Sequence, residues 1–507
     1  MSDPSPIPWL EWGADAFARA ASEQKPVLLS IGPAWCRWTA EMACVSYRDP
    51  RVLQLVSERF VPVRVDADRR PDISERYTLE GWPTTAFLTP DGEMLGGGTY
   101  LEPGPLAQVL EQVADAFAVR RVEVDARVAE SRAVRNVEPG TLSGLPDHND
   151  GAWGWLDEQL LSSFDPNWAG FGTGPKRVEA EALVAGLLRC AETKNGELTR
   201  VVTLTLDAIA NGGLWDAVEG GFFRYCAGRD WSEPQVEKVL TVNAQLLELY
   251  LLASRLFTRS DYAEQARAII LFVHRTFADS EGGFFASQYA DPGRAALSSR
   301  EARRQITAPS VDHTIYTDAT ALMASAYILG ASVLEDSSLL EFAAEAVDRV
   351  VRAGYRRGGG VGHNVTGSPA PRGLLTDQVT MSAALLDLYE ATGQAVYLDL
   401  PQELMAYCHQ TMWDEEGGFA DRARNLTGHD ASIGLLREPR YLLGLNCRAA
   451  IVLARLGEHA DEPAYRELAS QTLALQSLVY REHGLAGAVY LLALHQTKAA
   501  TGAVTDN

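Results

Sequence analysis

Paired glycines followed by an apolar, mostly aromatic residue return again and again along the C-terminal two thirds of this 507-residue chain. They stand as "AGFG" at 169–172, "EGGFFRY" at 219–225, "EGGFFAS" at 281–287, "GGGVGHN" at 358–364 and "EGGFADR" at 416–422, with a weaker sixth, "REHGLAG", at 481–487. Successive marks lie 50 to 77 residues apart, room for two ordinary helices and their connections, so each period reads as one helical hairpin. Helical spacing fills the intervals: 178–193 with 197–211, 236–257 with 260–278, 314–334 with 338–353, 374–392 with 395–412, and 438–456 with 463–480. One helix is left over at each end, near 153–164 and 485–499, and the repeat closes only if these two pair. The expectation is an all-α (α/α)6 toroid of about twelve helices over 151–500. Connections within a pair are brief and polar, whereas the glycine-marked ones are long and carry Trp, Asp, Glu, Arg and Tyr. Because helices alternate in direction, all marked connections should share one end of the ring, and binding groups concentrate on such loops.

Residues 1–120 follow another rhythm. "PVLLSI" and "RFVPVRVDAD" are Val-rich apolar runs, and "DPRVLQLVSERF" between them has helical spacing, which together read as an α/β domain with a central sheet. A connecting helix and linker are expected over 121–150. In "SIGPAWCRWTAEM", at 30–42, Cys36 stands where a strand gives way to a helix. Unpaired N–H groups at the helix start, with Arg37 alongside, favour a thiolate there, and Thr39 is a candidate hydrogen-bond partner. Redox cycling also needs a second thiol, and the place three residues on holds Thr39. Cys44 is eight residues away, ~12 Å along one helix against the ~7 Å that a disulfide spans.

Composition narrows the partners. Sixty-seven acidic against 45 basic residues give a formal charge of -22, which argues against nucleic acid or an anionic membrane surface. The six cysteines are scattered, which suits reduced thiols and a cytoplasmic location. The longest apolar stretch, at 320–334, is shorter than the ~18 residues of a membrane span. No C-x-x-C, H-E-x-x-H, acidic calcium loop, P-loop or strand-linked G-x-G-x-x-G occurs, so neither metal nor nucleotide cofactor is expected.

Several segments carry a specific likeness. "EWGADAFARA", "KPVLLSIG", "VDADRRPDI", "YTLEGWPT", "FLTPDGE" and "GGTY" resemble the N-terminal part of the YyaL-like, spermatogenesis-associated thioredoxin-like family. That resemblance makes Pro83 the candidate cis-proline beside Cys36. The family's C-H-W-C-H-x-M survives here as Cys36, Trp38 and Met42, with Arg37, Thr39 and Ala40 at the altered places. "LWDAVEGGFFRYCAGRDWSEPQVEKVLTVNAQL" likewise resembles the family's second half, which is similar to six-hairpin glycosidase and glucosamine-epimerase toroids. The family's histidine before F-E-K is Gln235 here, its Tyr-Asp before Asn is Thr241-Val242, its P-K-F-P is "PKRV" and its T-x-W-N is "TDAT".

The resemblance implies carbohydrate-like chemistry, glycosidase- or epimerase-like if the protein is an enzyme. Such chemistry needs flanking carboxylates or a histidine base, together with aromatic faces for stacking. Candidate catalytic residues are Asp216, Glu237, Asp312 and His313, the last at an expected helix start with Asp312 as cap or orienter; Glu219 and Asp318 are further carboxylates. Candidate ligand-binding residues are Trp215, Arg224, Tyr225, Trp231, Tyr316 and Trp413. Glu237-Lys238 reads equally well as an interior ion pair, and Phe222, Phe284 and Phe419 as packing under the glycine turns. Two other functions compete: a thiol-linked sensing or binding protein that meets a protein partner at Cys36, and a noncatalytic scaffold.

Overall fold

A computed structural model describes residues 6–135, 151–366, 371–424 and 433–502. The chain divides into two units, Met1–Ser143 with Asn425–Pro439, and Gly144–Arg424 with Arg440–Asn507.

The first unit runs α1 (Ala14–Glu23), β1 (Val27–Ile31), α2 (Arg37–Cys44), α3 (Pro50–Arg59), β2 (Val61–Val65), α4 (Pro71–Tyr77), β3 (Thr84–Leu88), β4 (Met94–Gly98), α5 (Pro103–Val119) and α6 (Arg121–Arg135). The helix α6 falls in the expected connecting segment, whose remainder at 136–150 lies outside the described residues. The sheet order is β2-β1-β3-β4, with β1 parallel to β2 and antiparallel to β3. Central β1 is buried on both faces, which is why it reads as an unbroken apolar run. Its side chains alternate between two cores: Val27, Leu29 and Ile31 join Trp12, Phe17, Ile73 and Tyr77, while Leu28 joins Met42, Tyr47, Phe87 and Leu106. Helix α3 starts sharply because the Asp49 carboxylate accepts from the Arg51 and Val52 amides and Pro50 occupies the first turn.

A late segment finishes the first of these cores. Ile433 and Leu436 are buried in it. The Tyr77 hydroxyl donates to the Gly92 carbonyl at 2.6 Å and accepts from the Leu435 amide at 2.9 Å. Arg76 donates to the Leu435 and Glu438 carbonyls at 2.9 and 2.7 Å.

The second unit is helical: α7 (Ala152–Ser163), α8 (Ala180–Thr193), α9 (Gly196–Asn211), α10 (Leu240–Phe257), α11 (Ser260–Thr276), the short α12 (Pro292–Ala295) and α13 (Arg300–Arg304), α14 (Thr317–Leu334), α15 (Ser337–Gly354), α16 (Leu375–Thr392), α17 (Val396–Met412), α18 (Leu443–His459), α19 (Pro463–Gln476) and α20 (Ala488–Gly502). Helices α8, α10, α14, α16, α18 and α20 touch in that order and α20 returns to α8, which closes an inner ring. Each inner helix packs on an outer one, and the leftover pair, α7 and α20, meet as the repeat requires. The architecture is an (α/α)6 toroid.

Every glycine-marked connection leads into an inner helix. Backbone bridges string them together: Lys176 with Cys226, Lys238 with Gln288, Tyr316 with Asn364, and Leu374 with Arg422. These first five connections therefore share one end of the ring. Helix α14 is long and apolar enough to cross a membrane, with mean hydropathy 1.3, yet 61% of it is buried. As an inner helix it has neighbours on nearly every side, which accounts for apolar residues all round.

Candidate functional site

The glycine marks are built alike. In four of them an aspartate before the glycines accepts from backbone amides of its own turn: Asp165 from Asn167, Asp216 from Val218 and Glu219, Asp279 from Glu281, and Asp414 from Glu416. A cation then grips the same carboxylate: Lys176, Lys238, Arg349 and Arg424 in turn. Lys176, Lys238 and Arg349 also donate to a glycine carbonyl of their turn. The residue after the glycines drops into the ring wall, where an amide side chain from the fourth position of the next inner helix clamps its backbone. Asn243 holds Phe222, Gln378 holds Val361 and Asn446 holds Phe419, each accepting from the N–H and donating to the C=O. Phe222, Phe284 and Phe419 are fully buried.

Asp216 sits inside this machinery. It binds Lys238 at 2.7 Å and Arg303 at 2.7 Å, while Glu219 binds Arg294 at 2.6 Å and Arg303 at 3.1 Å. Burial pushes the Asp216 carboxyl up, but Lys238 and Arg303 outweigh it and hold the group below the usual carboxylate range. Burial also draws the Lys238 ammonium down to about 8.

The other loop candidates fall into separate groups. Buried Glu237 pairs with Arg224 at 2.9 Å, and Arg224 and Arg177 both lie against the Tyr225 ring, at 4.8 and 4.6 Å. Half-buried Trp215 packs tilted against Phe222, with ring centroids 4.8 Å apart, and Trp413 packs edge-on to Phe419 at 4.9 Å. Trp231 is buried with φ +63° and donates through its indole to the Trp168 carbonyl. Asp312 does not cap a ring helix: its carboxylate accepts from the amide and hydroxyl of Thr314, and α14 begins later, at Thr317. His313 is exposed and stacks on Phe285 with ring centroids 4.3 Å apart.

Tyr316 leads to a cluster that sequence reasoning did not assemble. Its ring lies 5.1 Å from His363, whose Nδ1 is 2.9 Å from Asp377 Oδ1, and donor atoms of Asp318, His363 and Asp377 lie within 4.8 Å of one another. Asp377 is fully buried, and burial, with the Asp318 charge adding to it against the pull of His363, pushes its carboxyl up to about 6. A histidine with a buried carboxylate on one ring nitrogen can transfer protons, and with a second acid nearby the set can hold a cation. Three separate segments supply it, so no local spacing betrays it.

In the first unit Cys36 caps α2 and is fully buried, and Pro83 follows Trp82 through a cis peptide. Thr39 Oγ1 is buried with no hydrogen-bond partner among the described residues, so the expected bond to the thiol is absent; the side chain packs against Gly32, where a Cβ would stand 2.3 Å away. Arg37 lies over the Trp38 ring at 5.1 Å. Cys44 is the last residue of α2 and exposed, and both thiols are unbridged.

The inner helices surround a cavity of about 630 Å³. None of the loop candidates lines it. Its polar groups are Glu181 from α8, Gln245 and Glu248 from α10, Ser325 and Ser332 from α14, Thr380, Asp387 and Glu390 from α16, and Arg448 and Arg455 from α18. Leu252, Leu322, Ile328, Leu329, Val379, Ile451, Val452 and Leu492 supply apolar wall, and no aromatic side chain does. Arg448 binds Glu181 at 2.6 Å, and Arg455 binds Asp387 at 2.7 Å and Glu390 at 2.9 Å. Glu248 lies deep in the ring yet presents its surface to the cavity, and burial pushes its carboxyl up to about 7.

Residues 2–135 match the family described as Thioredox_DsbH, protein of unknown function, DUF255. The first unit is a thioredoxin-like domain. The chain is 31% identical to human and 30% identical to mouse spermatogenesis-associated protein 20, in each case over 308 residues, 57% of this chain and 39% of the relative. It thus spans about two fifths of the length of these relatives, and the resemblance read from the sequence holds. Beyond the thioredoxin-like domain, the fold is similar to cellobiose 2-epimerase from Spirochaeta thermophila (TM-score 0.52, 15% identity, 66% of this chain and 86% of that one). It is also similar to a D-mannose isomerase (0.52, 12%, 68% and 88%) and to an unsaturated glucuronyl hydrolase specific for heparin (0.51, 10%, 70% and 99%). At these identities the likeness is one of fold, the (α/α)6 toroid.

Proposed function

We propose that the toroid binds a small, polyhydroxylated, carbohydrate-like molecule in its axial cavity, and that the thioredoxin-like domain works as a monothiol. The observation that carries the first part is the cavity itself. Its volume lies within the few hundred to ~1,000 Å³ of small-molecule sites. Two arginine–carboxylate sets, two serines, a threonine and a glutamine give it donors and acceptors on several sides, which hydroxyl groups need. A cellobiose 2-epimerase and a D-mannose isomerase share this toroid fold. The cavity, rather than the glycine-marked turns, is favoured because Asp216, Glu237 and Trp231 are already committed to partners there.

The test is calorimetric titration with mono- and disaccharides against the full chain and Ser325→Phe, a variant that fills the cavity from α14. Binding is expected in the parent, lost in Ser325→Phe and kept in Arg224→Ala at the loops. No binding by any sugar, or binding indifferent to Ser325→Phe, removes the reading.

For the thiol, the Thr39 methyl and hydroxyl stand where a resolving sulfur would, and Cys44 is at the far end of α2. Dithiothreitol-coupled insulin reduction is expected to match a Cys36→Ser control, and Thr39→Cys is expected to gain activity. Parent activity well above the control contradicts the monothiol.

A further inference from the structure

The cavity's charges do not balance. Glu181, Glu248, Asp387 and Glu390 face Arg448 and Arg455, four carboxylates against two guanidinium groups. Arg448 is taken by Glu181, and Arg455 is shared by Asp387 and Glu390. Glu248 has no hydrogen bond or ion pair among the described residues, although Arg448 acts on it at longer range. Outside the cavity Glu390 also meets His459 at 2.8 Å, which occupies it further. Helices α14 and α20 present only Ser325, Ser332 and apolar side chains, so neither brings Glu248 a cation.

A cavity carboxylate without a cationic partner of its own is open to one supplied by a ligand. Glu248 is solvent-exposed within the cavity, and a ligand that displaces that water from among Leu252, Leu322 and Leu329 would leave the ionised form costly unless it brings a cation of its own. The wall is uneven: α8, α10 and α16 carry carboxylates, α18 the two arginines, and α14, between α10 and α16, no charge, which suits a molecule with a cationic end and a neutral body.

We infer that the ligand of the axial cavity carries an amine, and that the Glu248 carboxylate is the group that receives its ammonium. This rests on the cavity being the binding site for a small polar ligand. A charge-assisted hydrogen bond is about twice as strong as a neutral one, so replacing a hydroxyl by an ammonium at the right place should tighten binding roughly tenfold. The preference depends on pH with a definite sign. Glu248 is ionised above about 7 and protonated below it, so an amine gains over its alcohol at pH 8 and loses the advantage at pH 5.5, where it is itself still charged.

The experiment titrates the full chain with 6-amino-6-deoxy-D-glucose and with D-glucose at pH 8 and pH 5.5, in the parent and in Glu248→Gln, which keeps the side chain's shape. The amino sugar is expected to bind roughly tenfold tighter than glucose to the parent at pH 8, and equally in Glu248→Gln and at pH 5.5. Equal binding of both sugars by the parent at pH 8, or a preference that survives Glu248→Gln, overturns the inference and leaves the carbohydrate reading standing. If neither sugar binds, n-hexylamine separates the two ideas: binding to the parent but not to Glu248→Gln upholds amine recognition and removes the carbohydrate, whereas no binding overturns both.

Discussion

Asp216 illustrates how a residue with catalytic credentials can be spent on structure. Its carboxylate is buried between Lys238 and Arg303 and also closes its own turn, so its charge is matched on every side. Asp216→Asn keeps the turn's hydrogen bonds but strands two buried cations, and should lower stability by about 3 kcal/mol at pH 7 in chemical denaturation. Because the folded state holds this group below its ordinary value, its contribution is complete above about pH 4 and is lost as pH falls through the lowered value. The gap between parent and variant should therefore narrow below pH 4; a constant gap down to pH 2.5 would show that charge is not the cause. Glu248 is the converse case. It stands in "LLELYLL", which reads as core helix, and the only cue is one acid in an otherwise apolar inner-helix segment. His363 and Asp377 were equally hidden, since the first lay in what reads as a glycine turn and the second in an unremarkable helix start.

At the scale of elements, the turns were legible and their insertions were not. Gly220 and Gly221 both have φ +79°, a conformation that favours glycine, but only at Gly221 would a Cβ meet the Phe272 ring, at 2.4 Å; at Gly220 the nearest atom is 3.5 Å away. Gly220→Ala should cost about 1 kcal/mol from backbone strain alone. Gly221→Ala should cost about 3 kcal/mol, with overpacking added to strain, and urea midpoints would rank the two. Equal midpoints would mean that Phe272 gives way freely. The glycine spacing and helical periodicity were enough to count twelve ring helices. They could not reveal α12 and α13, short pieces in "DPGRAALSSREARR" that bring Arg294 and Arg303 onto Glu219 and Asp216. Those arginines decide what the two acids can do, and nothing local in the sequence ties them to residues some 80 positions earlier.

For the whole molecule, closure of the ring by α7 and α20 followed from arithmetic: a repeat with one helix spare at each end has one economical solution. The composition of the thioredoxin-like unit did not follow, because Ile433 and Leu436 lie beyond four complete hairpins of the toroid and resemble any loop. A fragment of residues 1–143 should consequently be less stable than the same unit in the full chain. A peptide of residues 425–439 added in trans should restore it, read by the tryptophan signal of Trp12 and Trp82, which belong to or pack on that core. A fragment indifferent to the peptide would mean that the segment merely rests there. During synthesis the same arrangement inverts the usual order of events. The part translated first waits with its hydrophobic face open until residue 436 has left the ribosome, so whatever shields nascent chains must guard that face through the making of most of the toroid.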